Sequence, residues 1–469
     1  MRNIKNTTMT IKKLGALLYF TLSALIVTAQ QSVEVSGKLK MARARAVKLF
    51  AVNEGKTTEI ASAVPSKTGN FGFHFYPDYE GLYVIGTGNA INGADNYKFY
   101  FKGGDKLSMT INDTTYVLNG KLNTKENVLL TQWHNLSYKV HQKSVNFMRV
   151  NSTFVDFFPE LEEVVAKSKT FLNGKATGNL KFDSQVKDFV KLDLANYATT
   201  FLNTPRTAHP AVEEHIDYYS TLKAEDLSKR ASLIYNYPWG SRTLASVIMV
   251  NMRQRDIKFL PGLAGLKNQL DMVVSDTLKG DMILDRAAGY KNYDDYIALK
   301  NEYGKYIITK SQNQRDMEIL TPLAQLKPGD AALNFTYPDK DGKTVTLASL
   351  KGKVVLVDVW ATWCGPCIAE IPSLKKLEEE MKGQDVQIVS LSTDDVKDKE
   401  KWQQMIKDKE LGGIQLWAGG PNNDFSKYYK VNSIPRFLVF DKNGKIVSVD
   451  SPRPSDPRLK TLLEKELAK

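Results

Sequence analysis

A chain of 469 residues with 42% hydrophobic content has material for two or three cored domains. Its formal charge of +12 is spread along the chain, with no basic stretch interleaved with aromatics, which argues against nucleic acid as a partner and for solubility or mild attraction to acidic surfaces. With two cysteines in all, a disulfide scaffold is excluded and sulfur is left for chemistry.

Residues 1–29 read as a signal peptide. Arg2, Lys5, Lys12 and Lys13 form a basic region, Leu14 to Val27 is an apolar run too short for an ordinary membrane span, and V-T-A closes it at Ala29. Cleavage there removes four positive charges and no acid, so the formal balance falls from +12 to +8. An uncleaved anchor is the alternative. No cysteine stands at the junction, so a lipid anchor is not indicated. In either case the chain is expected in the periplasm or cell envelope.

Residues 30–121 alternate polar and apolar side chains in short runs: V-E-V-S-G, A-V-K-L-F-A-V, F-G-F-H-F, G-L-Y-V-I-G, K-F-Y-F, K-L-S-M-T-I and Y-V-L. Turn signals such as G-N and K-G-G-D separate them, the pattern of a small antiparallel β-sandwich-like domain. His74, inside F-G-F-H-F, has no partner in sequence and reads as a half-buried strand histidine.

Over residues 122–319 the apolar spacing changes to three and four, interrupted by T-P, H-P, Y-P and L-P-G. This predicts an α-helical region of seven to nine helices. His134 and His141, seven apart, share a face of one predicted helix but lack carboxylates at useful spacing, so packing outranks metal binding. Tyr218, Tyr219, Tyr235, Tyr237 and Trp239 could line a groove for a partner, although ordinary packing accounts for them.

Thr321 to Asp330 is punctuated by proline and reads as the linker into an α/β domain placed over residues 320–469. Two short strands flank D-K-D-G-K (Asp339 to Lys343), a hairpin signal. The strand V-V-L-V-D-V-W (Val354 to Trp360) follows, then a helix to about Lys382, the strand V-Q-I-V-S-L-S and a helix around Lys397 to Lys409. The segment I-Q-L-W, the strand R-F-L-V-F, the turn D-K-N-G-K, the strand I-V-S-V and a closing helix complete it. Strands alternating with helices and then a terminal hairpin imply a sheet of mixed direction.

Both cysteines stand where the first long strand meets its helix, in W-C-G-P-C-I (Trp363 to Ile368). A C-x-x-C pair in that position reads as a redox dithiol. Only the thiolate attacks a disulfide, and unpaired backbone N–H groups at a helix N-terminus favour that anion. Cys364 is then the nucleophile, required to be ionised and reachable, and Cys367, one turn inside, the resolving thiol. Gly365 lets a partner's backbone approach, and Pro366 occupies the first turn, where a missing N–H costs little. A closed zinc site would need four ligands, and five scattered histidines supply no second pair. A structural disulfide closing so short a loop would constrain the unfolded chain very little.

The run V-D-V-W-A-T-W-C-G-P-C resembles the active-site segment of thioredoxin, and C-I-A-E-I-P after it resembles the TlpA/ResA-type envelope thiol-disulfide oxidoreductases. The likeness covers about Leu320 to Lys469 and implies a C-terminal thioredoxin-like domain with an added N-terminal hairpin. It is joined by a diffuse similarity of the first domain to the β-rich domains that precede such modules. The resemblance places Asp358 at the buried strand acid that exchanges a proton with the second cysteine, and burial should raise its pKa. It matches Glu370 to the acidic residue three after that cysteine. Which of the two carries the proton stays open. It places Pro435 at a cis proline beside the dithiol, so that Ile434 and Pro435, with Trp363, Gly365 and Pro366, form the substrate-docking rim. Arg436, following that proline, would bias partners toward acidic peptides. Pro372 should kink the dithiol helix.

Gly-Pro between the cysteines resembles thioredoxin, at about −270 mV, more than the oxidising envelope enzymes near −120 mV. The expected activity is therefore reduction of disulfide-containing protein substrates through a redox-active Cys364–Cys367 disulfide, with no cofactor and no metal. A membrane electron donor of the DsbD/CcdA type would recharge it. Cytochrome c maturation, rescue of misoxidised proteins and supply of a peroxidase all fit as the process served. Two rivals remain. A thioredoxin-fold thiol peroxidase lacks support in the missing P-x-x-x-T-x-x-C motif, since Ala361 stands three before Cys364. An envelope binding protein with an accessory redox domain would give the first two-thirds of the chain the main role.

Overall fold

A computed structural model describes residues 31–41, 44–91 and 93–469. The expected signal peptide lies outside the described residues. The chain divides into two compact units, one taking residues up to Tyr197 with Tyr235–Gly240 and the other Ala198–Ile234 with Ser241–Lys469.

The first unit begins with eight strands: β1 (Val33–Leu39), β2 (Val47–Asn53), β3 (Lys56–Ala63), β4 (Asn70–Phe75), β5 (Gly81–Gly86), β6 (Asn96–Phe101), β7 (Lys106–Ile111) and β8 (Tyr116–Leu118). They form two four-stranded sheets, ordered β4-β1-β7-β8 and β3-β2-β5-β6. Val33 and Val35 of β1, Leu49 of β2, Phe73 of β4, Tyr83 of β5, Phe99 of β6 and Met109 of β7 share one core. The alternation seen in the sequence is this inward and outward period of two. The antiparallel expectation needs one correction, because β1 and β7 pair in parallel. That pairing joins residues far apart in sequence and leaves no local signature.

Eleven α-helices follow among the described residues: α1 (Lys125–Ser144), α2 (Phe154–Phe171), α3 (Leu180–Asn203), α4 (Asp217–Thr221), α5 (Ala224–Leu227), α6 (Ala231–Tyr235), α7 (Gly240–Gln254), α8 (Gly262–Leu270), α9 (Asp276–Ala287), α10 (Tyr293–Tyr303) and α11 (Lys310–Ala324). Side-chain caps start several of them. Thr124 accepts from Asn127 N ahead of α1, and Thr309 with Gln312 makes a capping box on α11. The helices outnumber the expectation because short ones, such as α4 and α5, show little periodicity. α11 also runs through Pro322 to Ala324, so the first part of the expected linker is helical. No helix among the described residues is long and apolar enough to cross a membrane.

The second unit ends in the α/β region. The hairpin strands are β9 (Thr336–Pro338) and β10 (Thr344–Thr346), and β11 (Val354–Trp360) leads into α12 (Gly365–Glu380). After these come β12 (Val386–Ser392), α13 (Lys399–Asp408), β13 (Ile414–Trp417), α14 (Asp424–Tyr428), β14 (Arg436–Phe440), β15 (Ile446–Ser448) and α15 (Pro457–Leu467). The sheet order is β13-β12-β11-β14-β15. β11, β12 and β13 run parallel, whereas β14 and β15 are antiparallel to their neighbours. One face, with Leu356 of β11, Ile388 of β12 and Val439 of β14, packs on Leu377 of α12 and Leu463 of α15. The other, with Val357, Val389 and Leu438, buries Phe425 and Tyr429. β11 is covered on both faces, which is why it reads as an unbroken apolar run in which an aspartate stands out.

Candidate active site

Cys364 is the N-cap of α12, and its sulfur accepts the backbone N–H of Cys367 at 3.2 Å. The two cysteines are joined as a disulfide. Pro366 lies in the first turn, and Pro372 lies inside the helix. Each cysteine keeps only 4% of its surface exposed, less than a freely reachable sulfur implies. The cause is apolar cover: Trp360, Trp402 and Trp417 pack around the pair. The open surface at the site belongs to Trp363, which is 62% exposed, and to Gly365 and Pro366.

The loop before the dithiol is pinned by a side chain that the sequence did not single out. Asp394, fully buried just past β12, accepts Thr362 N on both carboxylate oxygens at 3.0 Å and Thr362 Oγ1 at 2.8 Å. Ser392 Oγ donates to the same carboxylate at 2.8 Å. The available signal was an acid at the carboxyl end of an apolar strand, a place that needs a hydrogen-bonded reason.

Asp358 pairs with Ser390 of β12 on one side and Phe437 of β14 on the other. Burial pushes its carboxyl up to about 7, with the negative charge of Glu370 adding to the rise. Asp358 and Cys367 line the same cavity of about 20 Å3. Glu370 is buried on α12 and tied down by Ser455, whose N donates at 3.0 Å and whose Oγ donates at 2.9 Å. Arg453 Nη1 stands 3.9 Å from it. Cys367, Asp358 and Glu370 are thus brought together, and Glu370 faces a loop as well as the strand acid.

The Ile434–Pro435 bond is cis. Ile434 is half-buried against the cluster that holds both cysteines. Arg436 corrects an expectation, since it is 4% exposed and donates to Val449 O at 3.2 Å, with Asp450 at 3.3 Å from its Nε. A central strand leaves that side chain no route to a substrate.

The other candidates lie elsewhere. His74 is exposed on the outer face of β4, edge-on to Tyr76, and not half-buried. His134 and His141 do share a face of α1, with ring centroids 5.7 Å apart, and burial holds His134 down to about 3. Tyr219, Tyr237 and Trp239 are buried in packing, while Tyr218 and Tyr235 are half-buried. Among the described residues, no group of three or more His, Cys, Asp or Glu is arranged to hold a metal.

The C-terminal region is similar to known proteins. The Redoxin family matches residues 327–463. A thiol-disulfide oxidoreductase ResA from Bacillus thuringiensis is 30% identical over 142 residues, covering 30% of this chain and 79% of the relative. One from Bacillus cereus is 32% identical over 123 residues, 26% of this chain and 69% of the relative. Among solved structures, the thioredoxin domain of a thiol-disulfide oxidoreductase from Bacteroides vulgatus is 30% identical, covering 29% of this chain and 96% of that one, with a TM-score of 0.27. A redoxin-type α/β domain with a dithiol at its strand-to-helix junction is therefore the class. The chain belongs, through this C-terminal region, to the ResA-type thiol-disulfide oxidoreductases of the thioredoxin fold.

Proposed function

We propose that the protein reduces disulfides in other proteins of the periplasm or envelope through its Cys-Gly-Pro-Cys dithiol. The observation that carries this reading is the Cys364–Cys367 disulfide at the N-terminus of α12, sharing a cavity with an acid poised near pH 7. In the reduced enzyme the backbone N–H that now reaches Cys364 Sγ favours its thiolate. That thiolate attacks one sulfur of a substrate disulfide, forms a mixed disulfide and expels the other sulfur, which takes up a proton. Cys367 passes its proton to Asp358 or Glu370 and attacks Cys364 Sγ. The internal disulfide re-forms, the second substrate sulfur leaves, and the substrate has gained two electrons. Trp363, Gly365, Pro366, Ile434 and Pro435 form the rim along which the substrate chain lies.

A membrane electron donor of the DsbD/CcdA type returns the two electrons by attack on Cys364. The test is the potential of the pair, equilibrated against dithiothreitol and glutathione buffers. A value near −270 mV fits a reductant, and one above about −150 mV contradicts it.

A further inference from the structure

Three neighbouring strands each carry a polar residue at the same level on the face that α12 covers. Asp358 of β11 pairs with Ser390 of β12, and Ser390 with Gln415 of β13, so the three stand in a row. Leu356 and Ile388, two positions before Asp358 and Ser390, pack on Leu377 of α12. The row is buried, with Ser390 and Gln415 each 3% exposed and Asp358 8%. Together with Cys367 it lines the cavity of about 20 Å3. A single water needs about 10–15 Å3 and two to four polar partners.

Gln415 is fixed in one orientation, because its Nε2 donates to Gly412 O at 2.6 Å. Its Oε1 is buried and receives no hydrogen bond among the described residues. A buried acceptor left unmatched is destabilising, so the site calls for a donor that the described residues do not supply. The cavity also reaches half-buried Glu378 and exposed Lys375 on α12. Glu378 lies against Gly412, where a Cβ would fall 2.4 Å from its carboxylate. One end is therefore the thiol and the acid, and the other opens toward the solvent side of α12.

We propose that Gln415 and Ser390 are positioning residues for the resolving step, holding a water between Cys367 Sγ and the Asp358 carboxylate that relays the thiol proton. This deepens the reductase reading and rests on it. The water accepts from the Cys367 S–H and donates to Asp358 and to Gln415 Oε1, with the Ser390 hydroxyl as its fourth neighbour. In the transfer the S–H bond breaks as that proton joins the water oxygen, and another proton leaves the water for Asp358. No electrons move. The thiolate then attacks Cys364, and Asp358 later loses its proton outward past Glu378. The titratable groups lining the cavity are Asp358, Cys367, Lys375 and Glu378, with Glu370 acting on Asp358 from α12.

The test uses the reduced full-length chain and an aromatic disulfide that liberates a coloured thiolate. The first release reports attack by Cys364, and the second reports resolution by Cys367. Gln415→Leu should keep the first phase within about twofold and slow the second roughly fivefold to tenfold. In an Asp358→Asn background the same change should add nothing to the second phase, because the relay has already lost its acceptor. An unchanged second phase, or an equal slowing in the Asp358→Asn background, overturns the proposal. Should Gln415→Leu fail to fold, Ser390→Ala and Gln415→Met are put to the same criteria. If the unaltered chain shows no first release, it is the reductase reading that falls, and this one with it.

Discussion

Asp193 in the first unit and Asp358 in the second are both shielded from water, at 1% and 8% exposure, and the fold treats them in opposite ways. Asp193 is fully matched: Lys98 Nζ at 2.6 Å, Tyr237 OH at 2.5 Å and Trp133 Nε1 at 2.8 Å all donate to it. Lys98 in turn lies over the rings of Tyr237 and Trp239. Asp358 receives no such donors among the described residues, and burial with the charge of Glu370 drives its carboxyl up to about 7. Burial alone therefore does not make a carboxylate reactive. A matched one is a structural tie, and an unmatched one becomes a base near neutral pH.

The contrast breaks first at Asp193. Asp193→Ala leaves half-buried Lys98 without its counter-charge and Tyr237 and Trp133 without their acceptor, and should cost about 3–5 kcal/mol in denaturant unfolding. A loss below 1 kcal/mol would show that the tie is not structural.

Asp358→Asn should do the reverse. The folded carboxyl holds a proton that the unfolded chain has lost between about pH 4 and 7, so stability falls as pH rises through that window. The amide removes this slope and should stabilise the protein at pH 8, on the order of 3 kcal/mol, while slowing resolution by Cys367. Lower stability at pH 8 would contradict the unmatched state of the acid.

Asp394→Ala tests a matched carboxylate beside the dithiol. Thr362 and Ser392 lose their acceptor, so unfolding should cost about 1.5–3 kcal/mol, with slower first attack as the loop loosens. The smallest effect belongs to Glu370→Gln. Without that negative neighbour, ionised Asp358 is less costly, and its titration midpoint should drop below about 7 by less than burial raised it. Carboxyl carbon NMR of Asp358 reads this, and a midpoint that rises would reverse the sign.

What could be read from the sequence followed from local signals. The C-x-x-C at a strand end, an aspartate inside V-V-L-V-D-V-W, the turn D-K-D-G-K and the alternating runs before residue 121 each declare themselves within a dozen residues. Properties set by long-range register did not. The parallel pairing of β1 with β7, the burial of Arg436 and the row from Asp358 to Gln415 arise only when distant strands meet. Cover from Trp402 and Trp417, which lowers the exposure of Cys364, likewise comes from elements beyond the motif.

The most direct measurement uses Cys367→Ser in the full-length chain, reduced and mixed with a disulfide-bonded protein substrate. A covalent adduct on Cys364 should accumulate, dissolve with dithiothreitol and be absent when Cys364 is also replaced by Ser. If no adduct forms under conditions in which the unaltered chain reduces that substrate, attack by Cys364 followed by resolution through Cys367 is the wrong order of events.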